Sequence, residues 1–189
     1  AEQNRLWAGM AKETAHQLGT PISSLEAWVE LLKDEALSEQ DKQQAITELE
    51  NDVHRLELIA ERFSKIGSKP DLNQQALAPY LEKATAYIKR RAPKEVNIYT
   101  HVEDGITAHI NPPLFDWVLE NLLKNALDAM NGKGEITVEA RKALQKIIID
   151  VTDTGSGIPK NKFDTVFKPG YSTKKRGWGL GLALTRRIV

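Results

Sequence analysis

Leu119-Glu120-Asn121-Leu122-Leu123-Lys124-Asn125-Ala126-Leu127-Asp128-Ala129-Met130 is the stretch from which the second half of the chain can be built. Leu119, Leu122, Leu123 and Ala126 recur at helical spacing and form one apolar side. Asn121 and Asn125 are four apart, so both lie on another face of the same helix. The helix opens at Pro112-Pro113, where proline suits the first turn, and runs to about Met130. Working outward, Val96–Val102 alternates like a strand and Thr107–Ile110 is a second short one. Ala78–Arg91 is helical in pattern. Downstream, Asn131-Gly132-Lys133-Gly134 is a turn. Glu135–Ala140 and Lys146–Thr152 then read as a hairpin of strands. Pro159 begins a loop, and Trp178–Val189 is a closing helix. Helices and strands segregate, which predicts an α+β sandwich with helices on one face of a mostly antiparallel sheet.

Before Gly67-Ser68-Lys69-Pro70 the period is different. Leu18, Ile22, Leu25, Val29 and Leu32 step by four and three, as do Ile46, Leu49, Val53, Leu56, Ala60 and Phe63. Two helices joined through 34–41, with Ser38 as N-cap of the second, make an antiparallel hairpin. A lone hairpin buries little, so the spacing predicts a four-helix bundle made by two chains, a homodimer. The alternative is that the second half covers the stripes. His16 lies off the stripe and should face solvent, with Pro21 disturbing the helix nearby. These patterns divide the chain into 1–68 and 69–189.

Composition narrows the function classes. The 189 residues include 26 basic and 26 acidic side chains, for a formal net charge of zero. No basic excess points to nucleic acid or an anionic membrane. There is no cysteine, which excludes disulfides and thiol chemistry. No apolar run spans a bilayer. The first residues already read as mid-helix and the last stop inside a helical pattern, so the chain reads as part of something longer.

Four groups could carry chemistry. A neutral imidazole such as that of His16 is a fair nucleophile near neutral pH. Asn121 and Asn125 could offer an amide oxygen to magnesium, which takes oxygen ligands and keeps several waters. Asp153, at a strand end before Thr154-Gly155-Ser156-Gly157, could accept from the exocyclic amine of adenine, with glycines letting backbone approach the ring. Gly177, Gly179 and Gly181 lead into a helix, where free N–H groups favour anions. Phe167–Arg176, with Thr173, Lys174 and Lys175, reads as a cationic lid. Each has a plain alternative: a surface histidine, two surface asparagines, an Asp-Gly turn, a solvated basic loop.

Together these segments resemble the sensor histidine kinases of two-component systems over essentially the whole chain. His16–Pro21 looks like the H box, Asn121–Ala126 the N box, Asp153–Gly157 and Gly177–Leu182 the two glycine boxes, and Phe163–Phe167 the phenylalanine box. The resemblance implies a dimerisation and phosphotransfer hairpin followed by an ATP-binding domain of the gyrase, chaperone and kinase type. It implies that His16 takes the γ-phosphoryl group of ATP and passes it to an aspartate on a response regulator receiver domain. Asn125 would ligate Mg2+ and Asp153 would read adenine. The nucleotide pocket would be formed by Asn121, Lys124, Asn125, Asp153, Gly155, Gly157, Ile158, Thr173, Lys174, Gly177, Gly179, Leu180 and Gly181. Thr20 matches the position that orients water for dephosphorylating the partner. The resemblance also implies a cytoplasmic location, with the parent protein anchored in a membrane through a part preceding Ala1.

Three departures qualify the match. Gln17 stands where many members carry an acidic residue. It can hold the imidazole tautomer but cannot stabilise a developing positive charge as a carboxylate would. Asp128-Ala129 stands where several branches have a basic residue and an aromatic, leaving phosphate contacts to Lys124 or the lid. The final strands and glycine box of the family are expected after Val189. ATP-hydrolysing relatives of the fold place a general-base glutamate where this chain has Asn121, which fits transfer to histidine better than transfer to water.

Overall fold

A computed structural model describes residues 2–67, 71–174 and 179–189. The chain divides into two compact units, Ala1–Lys69 and Pro70–Val189. In the first, α1 (Glu2–Leu32) and α2 (Glu39–Gly67) pack along each other as a helical hairpin. Ser38 caps α2 as its sequence position predicts. Its Oγ accepts from Asp41 N–H at 3.1 Å and donates to Asp41 Oδ2 at 2.6 Å, which satisfies an orphan donor of the first turn. Helix α1 continues through Pro21, which is buried.

The apolar stripes do not all lie in the seam between the two helices. Met10, Ala45 and Asp52 are buried there, whereas Ile22, Val29, Ile46, Val53 and Phe63 stay 36–48% exposed. Three-four spacing leaves α2 with two adjacent apolar flanks, and only one of them meets α1. Asp52 falls on the covered flank. Its Oδ1 is 3.5 Å from Arg55 Nη1, while its Oδ2 is buried without a hydrogen-bond partner among the described residues.

The second unit contains β1 (Asn73–Ala76), α3 (Ala78–Lys89), β2 (Glu95–Val102), β3 (Thr107–Ile110), α4 (Pro112–Ala129), β4 (Lys133–Ala143), β5 (Lys146–Asp153), a 3-10 turn at Lys160–Lys162, and α5 (Gly181–Ile188). It is α+β. The predicted hairpin is present: β4 pairs antiparallel with β5, with Ile136 opposite Asp153 and Ala143 opposite Lys146. Two features differ from the sequence expectation. Strand β2 runs parallel to β4, with Glu95 opposite Lys133, because β3 and α4 form the crossover that a parallel pair needs. In addition, β1 pairs antiparallel with β3 as a separate two-stranded sheet. Its residues Asn-Gln-Gln-Ala are mostly exposed, so no apolar alternation marks them.

Asn111 starts α4. Its Oδ1 accepts from Leu114 N–H at 3.3 Å, and its Nδ2 donates to the Asp71 carbonyl at 3.2 Å. Leu119, Leu123 and Ala126 of α4 then enter one core with Leu81 and Ile88 of α3 and Ile136, Val138 and Ala140 of β4. The opposite face of the three-stranded sheet, with Tyr99, His101 and Glu139, is exposed. Leu123 is 1% exposed. Leu123→Ala should therefore cost about 2–5 kcal/mol in urea unfolding of the second unit. Tyr99→Ala on the open face should cost under about 1 kcal/mol in the same measurement.

Candidate nucleotide site

Helix α4 presents one face to the core and another, through Asn121, Asn125 and Asp128, away from it. The core face is settled by Leu119, Leu123 and Ala126, so the polar residues have little freedom to rotate elsewhere. Asn121 Nδ2 is buried without a hydrogen-bond partner among the described residues. An orphaned buried amide costs about 1–3 kcal/mol, so a partner supplied from outside the protein suits this position. The start of α5 closes against the same residue: a Cβ at Gly181 would lie 3.3 Å from Asn121 Oδ1.

Asn125 Oδ1 accepts from the ammonium of Lys174 at 3.0 Å, and Asp128 Oδ2 accepts from the same ammonium at 2.6 Å. The amide oxygen expected to bear a magnesium ion thus already serves a cation, which shows that its lone pairs are accessible to one. Lys174 is held in turn by its own segment, since its N–H donates to Ser172 Oγ at 3.1 Å.

Asp153 ends β5. Its Oδ1 accepts from Gly155 N–H at 2.8 Å, an Asx turn that fixes the carboxylate and commits only one of its oxygens. Ser156 N–H donates to the Ala129 carbonyl at 3.0 Å, which ties the loop to the end of α4. The approach is so close that a Cβ at Gly155 would lie 2.6 Å from that carbonyl oxygen. At the far end, Gly170 N–H donates to the Gly179 carbonyl at 3.0 Å. Gly179 has φ +66° and would place a Cβ 2.3 Å from the Tyr171 carbonyl oxygen. These two glycines are required by space. Gly157, with φ +68° and nothing within 4 Å, is required only by its backbone angle.

The second unit therefore brings together Asn121, Asn125, Lys174 and Gly181, with Asp153 and Gly155 fixed to the end of α4. Leu180 is buried and α5 begins at Gly181, three residues later than the sequence pattern suggested, because Gly179 holds a left-handed angle that a helix cannot continue through. Lys124, Gly157, Ile158 and Thr173 are exposed. Gly177 and Trp178 lie outside the described residues. His16 and Thr20 are exposed on α1 and Gln17 is half-buried. In sequence Asp128 stands out only as a departure from a family pattern. Its spacing of three from Asn125 was the available signal that it shares that face.

The site chemistry fits a nucleotide with a divalent cation: an amide oxygen that accepts a cation, an orphaned amide donor, a fixed carboxylate and close-approach glycines. An open groove of about 780 Å³ lies elsewhere, on the outer face of β2 and β4, lined in part by His101, Glu139, Arg141 and Asp150. There the Arg141 guanidinium forms an ion pair with Asp150, which raises its pKa through a hydrogen bond and charge. No glycine among the described residues lines this groove.

Residues 110–189 match the family described as histidine kinase-, DNA gyrase B-, and HSP90-like ATPase. The chain is 26% identical over 205 residues to nitrogen regulation protein NtrY of Azorhizobium caulinodans, covering 100% of this chain and 26% of NtrY. It is 29% identical over 197 residues to sporulation kinase D of Bacillus subtilis, covering 100% of this chain and 38% of that protein. Full-length ShkA in complex with AMPPNP has the same fold over 95% of this chain and 40% of its own, at 21% identity and a TM-score of 0.62. Histidine kinase ThkA in complex with response regulator protein TrrA matches 95% of this chain and 53% of its own, at 20% identity and a TM-score of 0.57.

Alanine at the crowded glycines should cost more than at the open one. Gly155→Ala and Gly179→Ala should each lose about 1–3 kcal/mol of stability from overpacking, plus backbone strain at Gly179. Gly157→Ala should lose about 1–2 kcal/mol from its backbone angle alone. Thermal unfolding of the three variants checks the order.

Proposed function

We propose, for a chain whose second unit carries the ATPase domain of two-component sensor histidine kinases, that it autophosphorylates on His16 and relays the phosphoryl group to an aspartate of a response regulator. The single observation that carries this reading is the polar face of α4. There Asn121 leaves a buried amide donor unsatisfied and Asn125 already offers its oxygen to a cation. ATP bound with Mg2+ would supply a transferable γ-phosphoryl group and neutralise its charge. Asn125 would hold the ion, Asn121 would donate to the phosphates, and Asp153 would accept from the adenine amine. Lys174 and Lys124 would add positive charge. Gly155, Gly157, Ile158, Thr173, Gly177, Gly179, Leu180 and Gly181 would shape the walls.

The transfer step belongs to His16. One ring nitrogen attacks the γ-phosphorus, the bond to the ADP oxygen breaks, and the new N–P bond leaves a proton on the imidazole to be lost. Gln17, next in sequence, would accept from the other ring nitrogen and hold the tautomer. With Asn121 where a carboxylate base would stand, no side chain at that position deprotonates water, which favours the imidazole as acceptor. In the second step a receiver aspartate attacks the phosphohistidine. Thr20, one turn beyond His16, would orient water for the reverse duty of dephosphorylating the regulator. The naming of TrrA as ThkA's partner in a complex of this fold supports a receiver domain as the protein substrate.

The exposed flank of the hairpin supports a homodimer. Ile22, Val29, Ile46, Val53 and Phe63 form an apolar surface on α1 and α2 that a second copy can cover as a four-helix bundle. No helix among the described residues is long and apolar enough to cross a membrane. We place the chain on the cytoplasmic side of a membrane-anchored sensor, where receiver domains and ATP are found.

The full-length protein incubated with γ-labelled ATP and Mg2+ should acquire acid-labile, base-stable label. His16→Ala should abolish it, and Asn125→Ala should reduce it about 100-fold or more. Turnover of ATP without labelled protein would instead make it a clamp-type ATPase. A second reading, a regulator phosphatase with weak kinase activity, is favoured by Gln17. Gln17→Glu should raise the labelling rate, and no gain would remove the charge argument. Val53→Glu should weaken the dimer by about 2 kcal/mol or more in analytical ultracentrifugation.

A further inference from the structure

Asp128 has no part in the reading above. It lies three residues after Asn125 on the same face of α4, and both accept from one ammonium, that of Lys174. We propose that Asp128 is a positioning residue of the nucleotide site, drawing Lys174 onto Asn125 so that the lysine and the divalent cation compete for one amide oxygen. The inference rests on the assignment of Asn125 as the metal ligand.

The competition follows from distance and charge. Magnesium sits about 2.1 Å from a ligand oxygen and demands octahedral geometry. With Lys174 Nζ 3.0 Å from the same oxygen, the ion and the ammonium would stand no more than about 5 Å apart, where like charges repel. One must leave. Without Asp128, the ammonium would keep the neutral amide of Asn125 as its acceptor among the described residues, and a neutral acceptor binds an ammonium less strongly than a carboxylate does. Asp128 therefore sets how much metal is needed to displace the lysine, and the displaced cation is released within reach of the phosphates. The lysine and the carboxylate are 45% and 39% exposed, so solvent screens the pair and the effect is modest.

A metal-ligand role for Asp128 would act in the opposite direction, so one titration separates the two. ADP binding by the full-length protein is measured calorimetrically across a series of Mg2+ concentrations. In Asp128→Asn the Mg2+ concentration for half-maximal enhancement should fall about two- to five-fold, the size of an exposed ion pair. It should fall similarly in Lys174→Met, fall no further in the double variant, and return toward the parent value in Asp128→Glu. A rise in Asp128→Asn would make Asp128 a metal ligand and overturn the proposal. Equal values in parent and Asp128→Asn would overturn it too, as would effects of the two single variants that add. A structural contribution alone would lower the melting temperature and leave the Mg2+ midpoint in place. Asn125→Ala distinguishes the layers: a Mg2+ dependence equal to the parent's would bring down the assignment of Asn125 beneath the proposal. Loss of that dependence with no shift in Asp128→Asn would bring down the role of Asp128 alone.

Discussion

A backbone hydrogen bond joins the end of α4 to the turn that follows β5, Ser156 N–H to the Ala129 carbonyl at 3.0 Å. Much of the site depends on it. Helix α4 carries the asparagines and β5 carries Asp153, and the two elements reach the core by different routes. The contact fixes the distance between the Asp153 carboxylate and the amide face of α4. It is possible only because residue 155 has no Cβ. A site assembled from rigid elements in this way needs little reorganisation when a ligand arrives, which is what makes its polar groups effective.

Helix α4 resolves a general tension. Its apolar residues must be buried, and that demand alone orients the rest of the helix. Once Leu119, Leu123 and Ala126 are committed to the core, Asn121, Asn125 and Asp128 have a direction without any interaction of their own. This is why so much was legible in the sequence. Spacing of three and four gave the helix and placed both asparagines on one face. Ser38 announced its cap, and the alternation of 135–140 and 146–152 announced a hairpin.

What was not legible has physical causes. Strand β1 is too polar and exposed to show a period. The parallel pairing of β2 with β4 is a long-range choice to which local alternation is blind. Asp52 is buried although it lies off the three-four stripe, because the helix meets its partner along a flank that periodicity cannot select. The link between Lys174 and Asp128 joins positions 46 apart in sequence, a contact that neither segment's pattern contains. Resemblance supplies the chemistry expected at the box positions, whereas Asp128 departs from the family pattern and is marked only by its spacing of three from Asn125.

The bond from Gly170 N–H to the Gly179 carbonyl has a further meaning. It staples the two ends of the intervening segment at its base, with Gly179 pressed against Tyr171. Helix α5 is therefore positioned by this staple and by its own buried Ala183 and Leu184. Each doubling of such a loop's length adds only about 0.6 kcal/mol of closure entropy. A change in loop length is consequently tolerable as long as Lys174 still reaches α4. Related chains could differ widely in it while keeping the same scaffold.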